Sequence, residues 1–536
     1  MKPVIRAVLV IAATLLTLAG LIAPSAAAPA GPKAVARTEN GLVRGTSEAG
    51  VAVYQGIPYA APPVGERRWR TPEPAADWAG LRDASRPGAA CAQAGDFIGD
   101  PPSDAEDCLY LNVTTPRHAS ARRPVPVMVW LHGGGFQWGS GSIYGAEKLA
   151  RRGDVMVVTL NYRLNVSGFL AHPALAGSGQ DAGNLGVEDQ QAALRWVRRN
   201  AAAFGGDPGN VTIFGESAGA QVSCTHLTAP GSRGLFERVI MQSGPCTLNW
   251  PYGDTWRAKP RAEAEEIALA VAEKAGCADP ATAGTCLRSK SVAELLAADA
   301  GEHGHGPSFG GNPVIPEDPA RLLAAGRAAD VPVLHGTTRD EHVTFQVGME
   351  LMTGGPVPPQ AYGPVLGQFL GLDAGQTDRV LREYPLSDYD GSTGAALSTV
   401  LTDWAWACPA AQTNDLLARR GPTYAFEFAD RTAPWLGGTE APDFPTGAFH
   451  AGELQYLFSG AYAGQPLTAQ QRRLSDRMID YWTAFARTGD PSRPGLPAWS
   501  RLRPGDTRVQ ALAPGAGGIR PVDLHREHRC GFWNSL

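Results

Sequence analysis

The sequence is short of charge. Asp, Glu, Lys and Arg make up only 18% of its 536 residues, and the formal net charge is −5. Such a chain offers no basic face to nucleic acid. After the first thirty or so residues no stretch is apolar for long enough to cross a bilayer. Neither an internal repeat nor a low-complexity linker follows, so the bulk of the chain reads as one large domain with insertions rather than a string of tethered modules. What is abundant points the same way. Hydrophobic residues reach 43%, with 64 glycines and 44 prolines. That composition excludes wholesale disorder and implies a large packed core with many tight turns.

The first residues, MKPVIRAVLVIAATLLTLAGLIAPSAAAPA, carry Lys2 and Arg6, an apolar run from Ala7 to Ile22, and then small residues with possible cleavage points after Ala27 or Ala30. This is the form of a secretory signal peptide. The expectation is a signal over residues 1–27, a single domain over 28–536, a secreted protein and no stable membrane insertion after cleavage. The alternative, a membrane anchor, lacks a basic stop-transfer cluster. Eight cysteines in an exported chain imply disulfides. Spacing alone leaves their pairing open, although Cys91 with Cys108 and Cys277 with Cys286 would each close a short polar loop, and Cys530 could staple the tail to Cys408.

Continuous apolar runs alternate with helical patterns. VPVMVWLHGGG and DVMVVTLNYR read as buried strands, and EDQQAALRWVRRNAAAFGG as a helix with Leu194 and Val197 inward and Gly205 just past its end. NVTIFGESAG reads as strand, corner, helix; RVIMQSG, ADVPVLHGTTRDE and PTYAFEFA read as later strands. Asn40-Gly41 marks a hairpin. Residues 251–330 look Ala-rich and helical, and 345–400 look like Gly/Pro-broken excursions over the sheet. The fold class expected is α/β, with a mostly parallel central sheet, helices on both faces and helical insertions over the sheet.

The corner Gly215-Glu216-Ser217-Ala218-Gly219 fits G-x-S-x-G, in which small neighbours let a serine occupy a sharp, strained strand-to-helix turn. There Ser217 is raised above the sheet, and the Ala218 N–H at the helix N-terminus can face a developing negative charge. A serine hydroxyl needs a base, and a base needs a carboxylate to orient it. In this fold the chain order is Ser, acid, His. Of 11 histidines, His450, among small residues in TGAFHAGEL, is the best base on order. His525 and His528, in HREHR, read as a solvated charged tail. Asp340 and Glu341, just past an apolar strand, are the leading acids; Glu427, inside YAFEF, is the other candidate. LHGGGFQWG ends a buried strand in three glycines, as an oxyanion loop requires.

Taken together, YQGIPYAAPPVGERRWRTPEP, EDCLYLNVTTP, VMVWLHGGGFQWGS, NLGVEDQQAALRWVRRNAAAFGGDPGNVTIFGESAGA and RVIMQSG resemble the type-B carboxylesterases, the cholinesterase-like α/β-hydrolases, over nearly the whole mature chain. The resemblance implies Ser217 as nucleophile, Glu341 as acid and His450 as base, with oxyanion donors at Gly134, Gly135 and Ala218. It also implies the pairs Cys91–Cys108, Cys277–Cys286 and Cys408–Cys530. Cys224 and Cys246 are left over and could pair with each other. Trp250 resembles an acyl-pocket residue, with Phe136 and Trp138 as further walls. The chain departs from the family at His342, where glycine is usual. Its loop CAQAGDFIGDPPSDAEDC has no tryptophan to bind quaternary ammonium by cation–π contact, which argues against choline esters.

The implied activity is that of a serine esterase acting on a small-molecule carboxylic ester, with no metal, no cofactor and no nucleic-acid partner. Two rivals are a catalytically silent binding or adhesion protein on the same scaffold, and a peptidase of the same fold.

Overall fold

The computed structural model describes residues 34–536 except 96–100, 178–181, 251–256, 300–303, 461 and 463. The expected signal sequence therefore lies outside the described residues.

One mixed sheet organises the molecule. Its strands lie in the spatial order Ala34–Thr38, Gly41–Glu48, Val51–Pro58, Tyr110–Pro116, Met156–Leu160, Val125–Leu131, Gly206–Glu216, Arg238–Gln242, Val333–Thr338, Thr423–Phe428, Arg508–Leu512 and Ile519–Asp523, with the short Leu81–Asp83 beside Gly41–Glu48. From Met156–Leu160 to Arg508–Leu512 every neighbouring pair is parallel. The antiparallel strands occupy the two ends. Val125–Leu131 and Met156–Leu160 are buried along their whole length. A parallel strand covered by helices on both faces has no solvent side, so its apolar run is unbroken. The hairpin at Asn40-Gly41 is present, with Thr38 opposite Gly41.

The chain leaves Val125–Leu131 for the neighbour on one side, Met156–Leu160, and returns to the neighbour on the other, Gly206–Glu216. This reversal is the topological switch point at which open α/β sheets bind ligands, outside the carboxyl ends of the strands. The glycine run, Ser217, Ser243 and Glu341 all follow the carboxyl ends of strands adjacent here.

The helix expected around Leu194 and Val197 spans Leu185–Asn200 and buries both. Residues 345–400 are more regular than the sequence implied. They form the helices Val343–Thr353, Tyr362–Leu370, Ala374–Glu383 and Thr393–Leu401. Gly354 and Gly371, read as breakers, are left-handed caps at φ 81° and 64° that close helices rather than interrupt them. Four disulfides join Cys91 to Cys108, Cys224 to Cys246, Cys277 to Cys286 and Cys408 to Cys530.

Candidate active site

Ser217 stands between strand Gly206–Glu216 and helix Ala218–Thr228 with φ 54° and ψ −123°. L-residues avoid this region, and they are held there only where surroundings over-determine the backbone. The glycines answer for it. A Cβ on Gly219 would lie 1.9 Å from the Leu131 carbonyl oxygen, and one on Gly215 would lie 2.6 Å from Gly219. Strand and helix can cross this closely only where side chains are missing. The Ser217 N–H donates to the Gln242 carbonyl at 2.9 Å, tying the corner to the next strand.

The glycine run packs directly on this corner, since a Cβ on Gly133 would come 3.1 Å from the Ser217 Cβ. Gly134 and Gly135 take φ of 100° and 59°. Among the described residues the N–H groups of Gly134, Gly135 and Ala218 have no acceptor, so three donors beside the serine are available to an incoming oxygen. His132 braces the loop. Its Nδ1 donates to the Gly133 carbonyl at 2.8 Å, and its ring stacks on Tyr162 with centroids 4.3 Å apart. Burial holds His132 down at about 4, so it stays neutral.

Asp340 and Glu341 turn out to have separate tasks. The Asp340 carboxylate accepts the Ala448 N–H at 2.8 Å and pairs with Arg431, while its own N–H donates to the Ala448 carbonyl at 2.9 Å. This fixes the loop that leads into His450. Glu341, fully buried, accepts His450 Nδ1–H on Oε2 at 2.6 Å. Its Oε1 accepts the Thr337 hydroxyl at 2.6 Å and the Thr338 N–H at 2.8 Å. Burial alone would raise the Glu341 carboxyl. The charge and hydrogen bond of His450, with hydrogen bonds from Thr337 and Ser243, outweigh it and keep the group below the usual carboxylate value. Among the described residues His450 Nε2 makes no well-aligned hydrogen bond, although a carboxyl oxygen of Glu216 lies 3.0 Å away.

Two further carboxyl groups went unnoticed in the sequence. Glu216 occupies the first variable position of the serine motif, and its Oε1 lies 3.0 Å from His450 Nε2. Glu453, three residues past His450, accepts a hydrogen bond from Gln242 at 2.8 Å. Burial, then repulsion from Glu453 and Glu341, holds Glu216 well above the ordinary carboxylate range. Burial above all pushes Glu453 up to about 7. Of these three mutually interacting buried carboxyls, the environment favours ionisation of Glu341, the one bonded to His450 Nδ1, a separation of the kind that assigns different work to like groups.

An aromatic group walls the base. Phe345 and Trp406 each place a ring centroid 4.8 Å from that of His450. Trp250 meets Phe345 at 5.1 Å and Trp406 at 5.8 Å, packing on the same aromatic group. Trp138 is partly buried, with its ring and carbonyl against Gly134. Phe136 is otherwise than expected. It is fully buried and packs edge-on against Phe169 at 5.3 Å, in the core rather than on a cavity wall. At His342 the backbone has φ −79° and ψ −4°, a helical conformation that demands no glycine, so the imidazole there costs no strain. Its N–H donates to Thr402 Oγ1 at 2.9 Å, and Trp406 Nε1 donates to its Nδ1 at 3.3 Å. Thr402 and Trp406 both sit on a π-helical turn, Thr402–Ala407.

The histidine tail requires a correction. His528 is not solvated; it is 3% exposed. Its Nδ1 lies 2.6 Å from Asp403 Oδ1 and its Nε2 2.7 Å from Glu427 Oε1. This also disposes of Glu427 as a partner for His450, since Glu427 is engaged elsewhere.

Comparison with known proteins places the chain in a family. The sequence matches the carboxylesterase family over residues 32–533. It is 35% identical over 480 residues to para-nitrobenzyl esterase of Bacillus subtilis (strain 168), covering 85% of this chain and 90% of that one. It is 34% identical over 492 residues to acylcarnitine hydrolase of Mus musculus, covering 87% and 85%. A solved structure of a PNB esterase superposes with a TM-score of 0.75 at 32% identity, covering 93% of this chain and 99% of that one. The chain belongs to the carboxylesterase family and is a hydrolase of carboxylic esters.

Proposed function

We propose that the protein is exported and hydrolyses small-molecule carboxylic esters through an acyl-enzyme on Ser217. The observation that carries this reading is the 2.6 Å bond from His450 Nδ1 to Glu341. With its Nδ1 proton so engaged, the imidazole presents an unprotonated Nε2, the tautomer a general base needs.

In this scheme His450 Nε2 takes the Ser217 proton as the hydroxyl oxygen attacks the ester carbonyl. Glu341 orients the ring and stabilises the imidazolium that forms. The N–H groups of Gly134, Gly135 and Ala218 receive the oxyanion, a term whose loss of a single donor costs roughly 100- to 1,000-fold in turnover. Collapse of the tetrahedral intermediate passes the proton to the leaving alcohol and leaves an acyl group on Ser217. Water, activated by the same imidazole, then releases the acid. Export is supported by the four disulfides, which persist in oxidising compartments, and by the signal-like start of the sequence.

The test is hydrolysis of p-nitrophenyl esters from acetate to palmitate by the mature protein and its Ser217→Ala variant. Loss of activity in the variant is expected, and the preferred chain length describes the acyl pocket. Unchanged activity in the variant would overturn the serine mechanism.

A further inference from the structure

His528 has carboxylates on both ring nitrogens, at 2.6 and 2.7 Å. A carboxylate can only accept, and a neutral imidazole has one N–H. To satisfy both ionised partners the ring must be doubly protonated, a buried imidazolium. Burial opposes the charge, but Asp403 and Glu427 prevail and push His528 up to about 10. Other charged and titratable groups face this cluster, and Tyr389 lines the same cavity as Asp403 and His528. Tyr384 donates its hydroxyl to Asp403 Oδ2 at 2.8 Å. Arg339 reaches Glu427 Oε2 at 3.3 Å and also pairs with Glu527. Arg529 lies over the Tyr384 ring, 4.3 Å from its centroid.

The two carboxylates belong to the two segments that grip the turn bearing Glu341. On one side Glu427 binds Arg339, two residues before Glu341, and the Arg339 N–H donates to Phe428, the neighbour of Glu427, at 2.9 Å. On the other, Asp403 adjoins Thr402, whose hydroxyl accepts the N–H of His342, the residue after Glu341, at 2.9 Å. The strand Thr423–Phe428 and the π-helical turn Thr402–Ala407 thus hold the acid turn from before and after. One cation links the two holders.

We propose that His528 is a positioning residue for Glu341: its imidazolium, clamped between Asp403 and Glu427, fixes from both sides the turn that presents Glu341 to His450. The inference rests on reading Glu341 as the carboxylate partner of His450. Because the 2.6 Å bond between them is short and directional, a small rotation of the turn weakens the base without touching the ester-binding groups, so the cost falls on kcat. The tail itself stays anchored when His528 is replaced, since Cys530 is bonded to Cys408. A substitution at 528 therefore reads the charge rather than detachment of the tail.

The experiment compares the wild type with His528→Gln, His528→Lys, Thr402→Val and Glu341→Gln on p-nitrophenyl butyrate at pH 8. Rates are normalised to sites titrated to completion with a fluorophosphonate, so that unfolded protein does not count. His528→Gln is expected to lower kcat at least tenfold with KM within twofold. His528→Lys, which returns a cation between the carboxylates, is expected to recover most of that loss. Thr402→Val, far from the tail in sequence, is expected to lower kcat in the same sense, and it carries the test if His528→Gln does not fold. A His528→Gln kcat within twofold of wild type, or a lysine variant no better than the glutamine one, overturns the proposal. So does a Thr402→Val kcat equal to wild type. A wild-type kcat in Glu341→Gln overturns the assignment of Glu341, and the proposal with it; collapse of Glu341→Gln beside an unaffected His528→Gln overturns the positioning role alone.

Discussion

Asp340 and Glu341 are neighbours in the chain and grip the same loop at different points: Asp340 takes the Ala448 N–H at 2.8 Å, and Glu341 takes the His450 ring at 2.6 Å. The two substitutions should separate accordingly. Glu341→Gln removes the charge that favours the imidazolium and is expected to lower kcat by about 1,000- to 10,000-fold. Asp340→Asn only loosens the approach of the loop and is expected to cost about tenfold or less, with a lower melting temperature. Steady-state kinetics and calorimetry on the pair decide this, and equal kcat losses would refute the division of labour.

The glycine loop gives a steric prediction. A Cβ on Gly134 would lie 2.2 Å from the Trp138 carbonyl oxygen, at a φ of 100°. Gly134→Ala must distort the run, and its kcat on p-nitrophenyl acetate is expected to fall roughly 100-fold or more. Far-UV circular dichroism should be unchanged, because the lesion is confined to a loop.

Much of this site is written locally. Ser217, its flanking glycines and the glycine run after Leu131 are recognisable because a tight corner at a strand end demands small residues within a few positions. The parallel strands are recognisable because double-sided burial leaves no polar alternation. What escaped depends on distant partners. His528 meets Asp403 and Glu427 across 125 and 101 residues, and nothing in HREHR marks it as buried. Phe136 was misplaced because its position in the glycine-rich run says nothing of which way its ring turns, and the ring packs into the core against Phe169. Glu216 was passed over as a variable position, although its backbone must enter the corner beside Ser217.

Stability should carry the signature of the clamped cation. The ordinary imidazole value is about 6.5, and in the folded protein His528 lies near 10. The clamp's contribution is fully present below about pH 6.5 and is lost as pH rises through about 10. Glu427 is held below its ordinary value despite burial, by His528 and Arg339, so its share is present above about pH 4.5 and is lost as pH falls. Urea midpoints measured from pH 4 to 10 should decline between pH 7 and 10 in the wild type and less steeply in His528→Gln. Leaving a carboxylate buried without its partner is expected to cost that variant about 3–5 kcal/mol at pH 7.

Glu453 has the sign opposite to Glu427. Burial raises it to about 7, so the stability its neutral form contributes is present below about pH 4.5 and is lost as pH rises through about 7. Glu453→Gln should resemble the wild type at pH 5 and gain on it by about 1–3 kcal/mol at pH 8. Thermal unfolding at the two pH values checks this; a gap that does not widen with pH would show that Glu453 is ionised without penalty.

The Cys224–Cys246 bond ties the helix behind Ser217 to the segment after strand Arg238–Gln242, across 22 residues. The chain-entropy argument assigns a loop of this size about 3 kcal/mol. The Cys224→Ala/Cys246→Ala double variant should lose about that much in denaturant unfolding.

The strand Thr423–Phe428, which carries Glu427, is completed on its outer side only by Arg508–Leu512, and the tail is locked only when Cys530 reaches Cys408. A chain emerging from the ribosome has made Ser217 and the glycine run long before it can finish this edge. The strand that carries Glu427 gains its outer neighbour, and with it the last support of the acid turn, only when the final stretch of sequence has been synthesised.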